Sequence, residues 1–155
     1  MRIGRLSRQN LKAIRGQKGL AMVEFAICAP ILMLLLLSVG EVGRMISQYN
    51  QLLQATRDSA RYVAGLAWDR TLEKVWLAPL EARAKDIAVF GGGSDPIISG
   101  LTVSDVEITA EDSEHIRVTI RHEFSPVVGD TLPNLFGEGV PLRVEMVATT
   151  VMRVL

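Results

Sequence analysis

The chain has little of the side-chain chemistry on which disulfides, metal sites and enzymes depend. Its only cysteine is Cys28, so an intrachain disulfide cannot form. Its two histidines, His115 and His122, are seven residues apart and would point to opposite faces of one regular strand, which does not suit a shared metal ion. No glycine-rich segment ends in the Gly-Lys-Ser/Thr sequence of a phosphate-binding loop. We therefore expect no enzymatic activity, no metal ion and no cofactor.

Acidic residues are absent from the first nineteen positions. This basic leader, Met1–Gly19, carries six positive charges: Arg2, Arg5, Arg8, Lys12, Arg15 and Lys18. The whole chain has 17 Lys and Arg against 17 Asp and Glu, so 11 basic and 17 acidic residues remain for Leu20–Leu155, a net negative charge of about six. Such a body lacks the basic surface that replaces counterions on phosphate, and we expect no nucleic acid as a partner.

A long apolar run follows the leader, from Leu20 to Gly40, and contains a single charge, Glu24. As a helix it would be about 31 Å long, close to the ~30 Å hydrocarbon thickness of a bilayer. A secretory signal has an apolar region of roughly 7–15 residues with a small-residue cleavage site beyond it. This run is longer and lacks a good site of that kind, so we expect a retained transmembrane helix. The positive-inside rule then places the leader in the cytoplasm and exports residues 41–155.

Two residues stand out within the apolar run. Glu24 lies about four residues inside it, and a charge there is expensive unless it reaches the headgroups or meets an opposite charge. Either the carboxylate snorkels to the cytoplasmic interface, or the chain is cut between Gly19 and Leu20 and Glu24 pairs with the new amine of a neighbouring subunit. Pro30 lacks an N–H and is expected to break the helical hydrogen bonding locally and bend the helix.

Four segments around this run resemble one family. They are Gly19-Leu-Ala-Met-Val-Glu-Phe-Ala26, the apolar stretch Pro30–Leu37, Gly40-Glu-Val-Gly-Arg44, and Gln54-Ala-Thr-Arg-Asp-Ser-Ala-Arg-Tyr-Val-Ala64. They are similar to the TadE-like minor pilins of the tight-adherence (Tad/Flp) pilus machinery, and the resemblance covers residues 15–66 best. A glycine followed by four uncharged residues, then Glu24 and Phe25, is the pattern that a prepilin peptidase reads.

The resemblance implies a role in the assembly of a thin adhesive pilus. A prepilin peptidase, an aspartyl protease of the bacterial inner membrane, would cut after Gly19 and leave Leu20 as the new N terminus. The product would be a minor pilin or pseudopilin that crosses the inner membrane once, with a periplasmic C-terminal domain; whether it enters the pilus stays open. Implied partners are the peptidase, other minor pilins, the major pilin, the inner-membrane assembly platform and the lipid bilayer.

The rest of the sequence predicts an α+β, pilin-like fold. Beyond Gly40 the helix should continue as a stalk whose inner seam recurs every three or four residues: Val42, Met45, Tyr49, Leu52, Thr56, Ser59, Val63 and Leu66. Glu41 and Arg44 can form an exposed i, i+3 pair worth a few tenths of a kcal/mol. A second helix is predicted over Thr71–Phe90, kinked or divided by Pro79.

Three apolar alternations then predict an antiparallel sheet. The first holds Leu101 and Val103 and then Val106 and Ile108, with a phase slip at Ser104–Asp105 that suggests a bulge. The second holds Ile116, Val118 and Ile120, and the third holds Leu142, Val144, Met146 and Ala148. Residues 110–114 should form a hairpin connection, and residues 125–139 a long loop. The predicted divisions are the leader 1–19, the transmembrane helix 20–40 and the exported domain 41–155.

Two other classes of protein compete with a processed pilin. The chain could be an uncleaved single-pass membrane anchor whose exported domain binds a partner or acts as a scaffold, with the basic leader as a topology signal. A membrane-tethered enzyme would need a polar cluster in the exported domain, and the sequence shows none. The mature N terminus separates the first two hypotheses, because only the pilin begins at Leu20.

Overall fold

The structure is a computed structural model and describes residues 8–69, 74–127, 129, 131–132 and 140–155. It has a long apolar N-terminal helix, a second helix and a three-stranded antiparallel sheet, so the α+β prediction is confirmed. The chain divides into two units, Met1–Gly40 and Glu41–Leu155. The first seven residues of the basic leader lie outside the described residues.

The first helix, α1, runs from Arg8 to Ala64. Its sequence from Leu20 onward is rich in Ala, Leu, Met and Gln, which have high helix propensity. The helix does not end at Pro30, which lies in its interior. Because proline has no N–H, the hydrogen bond to the carbonyl of Ala26 is lost all the same. The bend expected there stays a prediction, whereas the continuation of the helix beyond Gly40 is confirmed.

The apolar stretch of α1 is exposed along its whole length. The helix from Gly19 to Ala64 contains an 18-residue window of mean hydropathy 2.5, none of which is buried within the chain. By length and composition this helix can cross a membrane. A row of exposed Leu, Ile, Met and Val side chains is unfavourable in water. The single N-terminal apolar helix therefore suggests a membrane anchor.

The sheet has the strand order β3-β4-β7 and is antiparallel throughout. Its strands are β3 (Val106–Ala110), β4 (His115–Glu123) and β7 (Glu145–Arg153). Residues 111–114 connect β3 to β4, so the predicted hairpin is confirmed. Val106 pairs with Ile120 and Val118 with Thr150, and these residues lie on the face of the sheet that points to the core.

The core of the second unit lies between this sheet face, the C-terminal part of α1, and α2. On α1, Leu52, Thr56, Ser59 and Val63 are fully buried, as the seam predicted. The hydroxyls are satisfied: Thr56 Oγ1 lies 2.9 Å from Thr150 Oγ1, and Ser59 Oγ donates to the carbonyl of Ala84 at 2.9 Å. Three members of the predicted seam do not face this core, because Val42, Tyr49 and Leu66 are exposed.

The second helix is shorter than the sequence predicted. It is α2, Glu81–Phe90, and the predicted helix is wrong for the described residues 74–80. Two-residue strands β1 (Trp68–Asp69) and β2 (Lys74–Val75) pair before it, while residues 70–73 lie outside the described residues. Pro79 lies in the turn that precedes α2, where its missing N–H does no harm. At the other end, Gly91 adopts the left-handed conformation (φ 59°) that terminates helices.

Two further details of the strand prediction are corrected. The phase slip at Ser104–Asp105 is not a bulge but a short 3₁₀ turn, Val103–Asp105. The first strand therefore begins only at Val106, and Leu101 and Val103 precede it. Asp105 Oδ2 accepts a hydrogen bond from the backbone N–H of Thr102 at 2.8 Å, which holds the turn closed. The third strand begins only at Glu145, so Leu142 and Val144 precede it.

The expected loop over residues 125–139 is described only in part. It contains β5 (Thr131–Leu132), which pairs with β6 (Val140–Pro141). Residues 128, 130 and 133–139 lie outside the described residues.

Candidate functional site

The predicted cleavage bond, between Gly19 and Leu20, lies inside α1 and is accessible. Gly19 is exposed, and a Cβ placed on it would meet no atom within 4 Å. The Leu20 side chain is 71% exposed. Because a helical carbonyl is hydrogen-bonded to the N–H four residues later, a protease has to open this turn locally before it can reach the bond. Glycine favours such opening, since it is about 1 kcal/mol less favourable than alanine in a helix interior.

The two residues predicted to act in subunit assembly also lie on the exposed surface of α1. Glu24 is exposed and Phe25 is 68% exposed. Glu24 follows Leu20 by four residues, so both lie on the same side of the helix. In the part of the chain that the structure describes, Glu24 has neither a hydrogen-bond nor an ion-pair partner. A carboxylate on such an apolar helix needs a cation from elsewhere if the helix is placed in hydrocarbon.

Pro30 completes the predicted site residues and lies six positions after Glu24, also exposed. The missing hydrogen bond frees the carbonyl of Ala26 on an apolar helix. Membrane helices tolerate this when a neighbouring helix or side chain covers the freed group. Pro30 therefore adds a second polar group, besides the Glu24 carboxylate, for which a partner outside the chain would be favourable.

A polar cluster at the start of the second unit was missed by sequence reasoning. Glu41 is only 5% exposed, and its Oε1 accepts a hydrogen bond from the backbone N–H of Val127 at 2.9 Å. Arg44 Nη2 lies 3.4 Å from Glu41 Oε2 and also donates to the carbonyl of Ser125. The Arg44 guanidinium is stacked over the ring of Phe124, 5.1 Å from its centroid.

This arrangement corrects the expected exposed pair of Glu41 and Arg44. The two residues do pair at i, i+3, but the pair is partly buried and fixes the chain that leaves β4. One sequence signal could have found it. Glu41, Met45, Gln48 and Leu52 follow each other at spacings of four, three and four, which places Glu41 on the buried face of α1.

The acidic residues near the β3–β4 hairpin bind neighbouring side chains of the same domain. Glu107 pairs with Arg121 at 2.9 Å, and Glu111 with Arg117 at 2.5 Å. Among the described residues, no group of three or more His, Cys, Asp or Glu side chains could hold a metal ion. The ion pairs make Glu107 and Glu111 part of a charged edge of the sheet.

Asp112 organises the hairpin turn itself. Its Oδ1 accepts hydrogen bonds from the backbone N–H groups of Glu114 and His115, each at 2.7 Å. The ring Nδ1 of His115 lies 2.9 Å from Asp112 Oδ2. The backbone hydrogen bond from Glu114 and the side-chain bond from His115 hold the pKa of Asp112 below its ordinary value of 3.8. His122, at the other end of β4, takes no part in this turn.

Comparison with known proteins gives one finding. The model of the TadE-like protein family matches residues 19–61. No curated protein and no solved structure matches the chain. The matched stretch begins at the glycine of the predicted cleavage bond, contains Glu24, Phe25 and Pro30, and extends to the buried part of α1. The chain thus carries a TadE-like segment at residues 19–61, as the sequence resemblance predicted, and this family indicates a protein associated with Tad pilus systems.

Proposed function

We propose that this chain is a minor pilin or pseudopilin that a prepilin peptidase cuts after Gly19 and that takes part in assembling a Tad/Flp-type adhesive pilus. The observation that carries the proposal is the TadE-like match, which begins at Gly19 and includes the exposed apolar helix with its one acid. TadE-like pilus proteins are structural components and not enzymes, which agrees with the chemistry of the sequence.

Cleavage would change the electrostatics of the helix N terminus. It would remove the six basic residues of the leader and create an α-amino group at Leu20. Glu24 is exposed on the same side of α1, so the amine of one subunit and the carboxylate of its neighbour can meet when two such helices pack side by side. Each group alone is unfavourable in hydrocarbon, and pairing relieves both penalties together.

The membrane arrangement follows from the same segment. The basic leader would stay in the cytoplasm by the positive-inside rule, Leu20–Gly40 would span the inner membrane once, and residues 41–155 would lie in the periplasm. Helix association in a bilayer has no hydrophobic driving force of its own, because lipid tails are as apolar as leucine. Polar pairing through Glu24 would therefore help to select the partners: similar minor pilins, the major pilin and the assembly platform.

The test is the mature N terminus of the protein extracted from membranes, measured by mass spectrometry with and without the peptidase. The proposal expects Leu20 as the first residue when the peptidase is active and Met1 when it is absent. An intact leader in the presence of the active peptidase would contradict the proposal. The chain would then be an uncleaved membrane anchor with an exported binding or scaffold domain.

A further inference from the structure

The exported part of α1 carries apolar side chains that its own domain leaves uncovered. Val42 is 44% exposed, Ile46 55% and Tyr49 39%. Leu53, one turn further on, is half-buried and contacts the edge of the core. These four residues recur at spacings of four, three and four, so they form one stripe along the helix. The neighbouring stripe that contains Met45 and Leu52 faces the domain's own core.

The spacing of this stripe identifies the kind of surface that covers it. Alternation of four and three residues is the a/d repeat by which two helices pack side chains into each other's holes. In the sequence the same alternation continues backwards through Val39, Leu35 and Leu32. Sustained over about three heptads, a repeat of 3.5 residues predicts a left-handed pairing of helices.

We propose that Val42, Ile46, Tyr49 and Leu53 form a seam, the 42–53 seam, on which α1 of a second copy of this chain packs in parallel. The proposal rests on the membrane anchoring in the proposed function but not on cleavage after Gly19. Two copies anchored by the same apolar run in one bilayer have the same orientation and bring the seam to the same height.

The charges along the helix favour a second copy over an oppositely charged partner. The positions that flank the seam are Gly43 and Asn50 on one side and Met45 and Leu52 on the other, so a symmetric parallel contact brings no like charges together. Two charges lie near the ends of the seam. Arg44 is engaged by Glu41 and the Ser125 carbonyl of its own domain, and Arg57 follows Leu53 by four residues and is exposed. β-branched Val39 and Ile46 fall at the a positions, where such residues favour two-stranded parallel pairing.

Cysteine cross-linking in membranes tests the seam. In a Cys28→Ala background, single cysteines replace Val42, Ile46 or Tyr49, and the matched controls replace Ser47 or Gln51, which are exposed on the other side of the same helix turns. After mild oxidation we expect a disulfide-linked dimer at the three seam positions, at least about tenfold more abundant than at the controls. In the protein that carries Tyr49→Cys, the further change Ile46→Asp should lower the yield of cross-linked dimer by about tenfold or more. Burying one isoleucine stabilises a contact enough to change the association constant at least about tenfold.

The possible results are decisive in either direction. Equal cross-linking at seam and control positions, or none at the seam, would overturn the proposal. Co-expression of two differently tagged copies distinguishes the partner: a dimer carrying both tags supports a second copy, whereas a cross-linked product with the mass of another protein overturns it. Repeating the experiment with Gly19→Lys separates the two proposals. The seam should cross-link whether or not the leader is removed, so a failure of cleavage leaves its test intact.

Discussion

Glu41 and Val127 are joined by a hydrogen bond of 2.9 Å, in which the backbone N–H of Val127 donates to the buried carboxylate. Because Glu41 is the first residue of the second unit, this bond fixes the chain that follows β4 to the part of α1 that begins this unit. Arg44 reinforces the contact, since its guanidinium lies 3.4 Å from the same carboxylate and stacks on Phe124.

The first prediction follows from this contact. Glu41→Ala should lower the free energy of unfolding of the second unit by about 2 kcal/mol, because it removes the acceptor of the Val127 N–H and leaves a partly buried guanidinium without its carboxylate. Urea unfolding of the detergent-solubilised protein, followed by tryptophan fluorescence, measures the change, since both tryptophans lie in this unit. The matched control is Glu81→Ala, which removes an exposed i, i+4 pair with Lys85 and should change stability by less than about 0.5 kcal/mol. Equal losses in the two variants would show that the burial of Glu41 contributes nothing.

Local sequence patterns predicted the elements of this fold whose periodicity directly reflects burial. The alternation Ile116, Val118, Ile120 identified β4 and its buried face, and the short connection predicted over residues 110–114 identified the hairpin. The hydrogen bond between Glu41 and Val127 was out of reach by such patterns, because the two residues are 86 positions apart in the sequence.

The faces of α1 show a second limit of sequence periodicity. Spacings of three and four predicted an apolar side but did not separate Leu52 and Val63, which face the chain's own core, from Val42 and Tyr49, which remain exposed. The segment before α2 shows a third limit. Its helical spacing, which includes Trp76, predicted a helix, but β1 pairs with β2 instead. Next to this pair, the Trp76 N–H donates a hydrogen bond to the Ala67 carbonyl at 2.8 Å. For Gly19 and Glu24, sequence alone supplied the candidates, and their roles are proposals.

The second prediction concerns Gly19. Gly19→Lys should block removal of the leader, because a bulky charged side chain prevents the close backbone approach that glycine allows at the catalytic groups of a protease. The helix itself has room for the change, since a Cβ at this position meets nothing within 4 Å beyond its chain neighbours and the backbone of its own helix turns. Gly43→Lys, at an equally open glycine of the same helix, should be cleaved normally. Mass spectrometry of the N terminus reads out both variants, and efficient cleavage of Gly19→Lys would disprove the site.

The third prediction separates assembly from cleavage. Glu24→Ala should lower the amount of assembled pili much more than it lowers leader removal, because the carboxylate is needed to meet a neighbour's amine and not to present the Gly19–Leu20 bond. Glu24→Gln, which keeps the shape but removes the charge, should behave like Glu24→Ala. Sheared pilus yield and the mass of the N terminus are measured on the same cells. Normal piliation with either variant would contradict the pairing.

The fourth prediction tests the buried hydroxyl between α1 and α2. Ser59 is fully buried and donates to the Ala84 carbonyl at 2.9 Å, so Ser59→Ala removes a buried hydrogen bond between α1 and α2. We expect a loss of about 1–2 kcal/mol in the free energy of unfolding. Ser47→Ala, on the exposed side of α1, should stay within about 0.5 kcal/mol of the wild type. Unfolding curves of the two variants side by side measure the difference; an unchanged stability for Ser59→Ala would mean that this hydrogen bond is replaceable.

The last prediction uses the hairpin turn at Asp112. Its pKa is held below 3.8 by the backbone hydrogen bond from Glu114 and the side-chain bond from His115, so the folded state binds a proton on this group less readily than the unfolded state does. The stability that the Asp112 carboxylate contributes is fully present above the pKa of the unfolded chain. It is lost as the pH falls through the lower pKa of the folded state. Asp112→Asn should therefore be less stable than the wild type at about pH 6, and the difference should shrink at about pH 3. Asp95→Asn, at an acid in the exposed loop after α2, serves as the control and should show no difference at either pH. If the free energy of unfolding of Asp112→Asn differs from that of the wild type by the same amount at both pH values, the charge of Asp112 does not stabilise the turn. The loss would then not depend on whether the carboxylate is ionised.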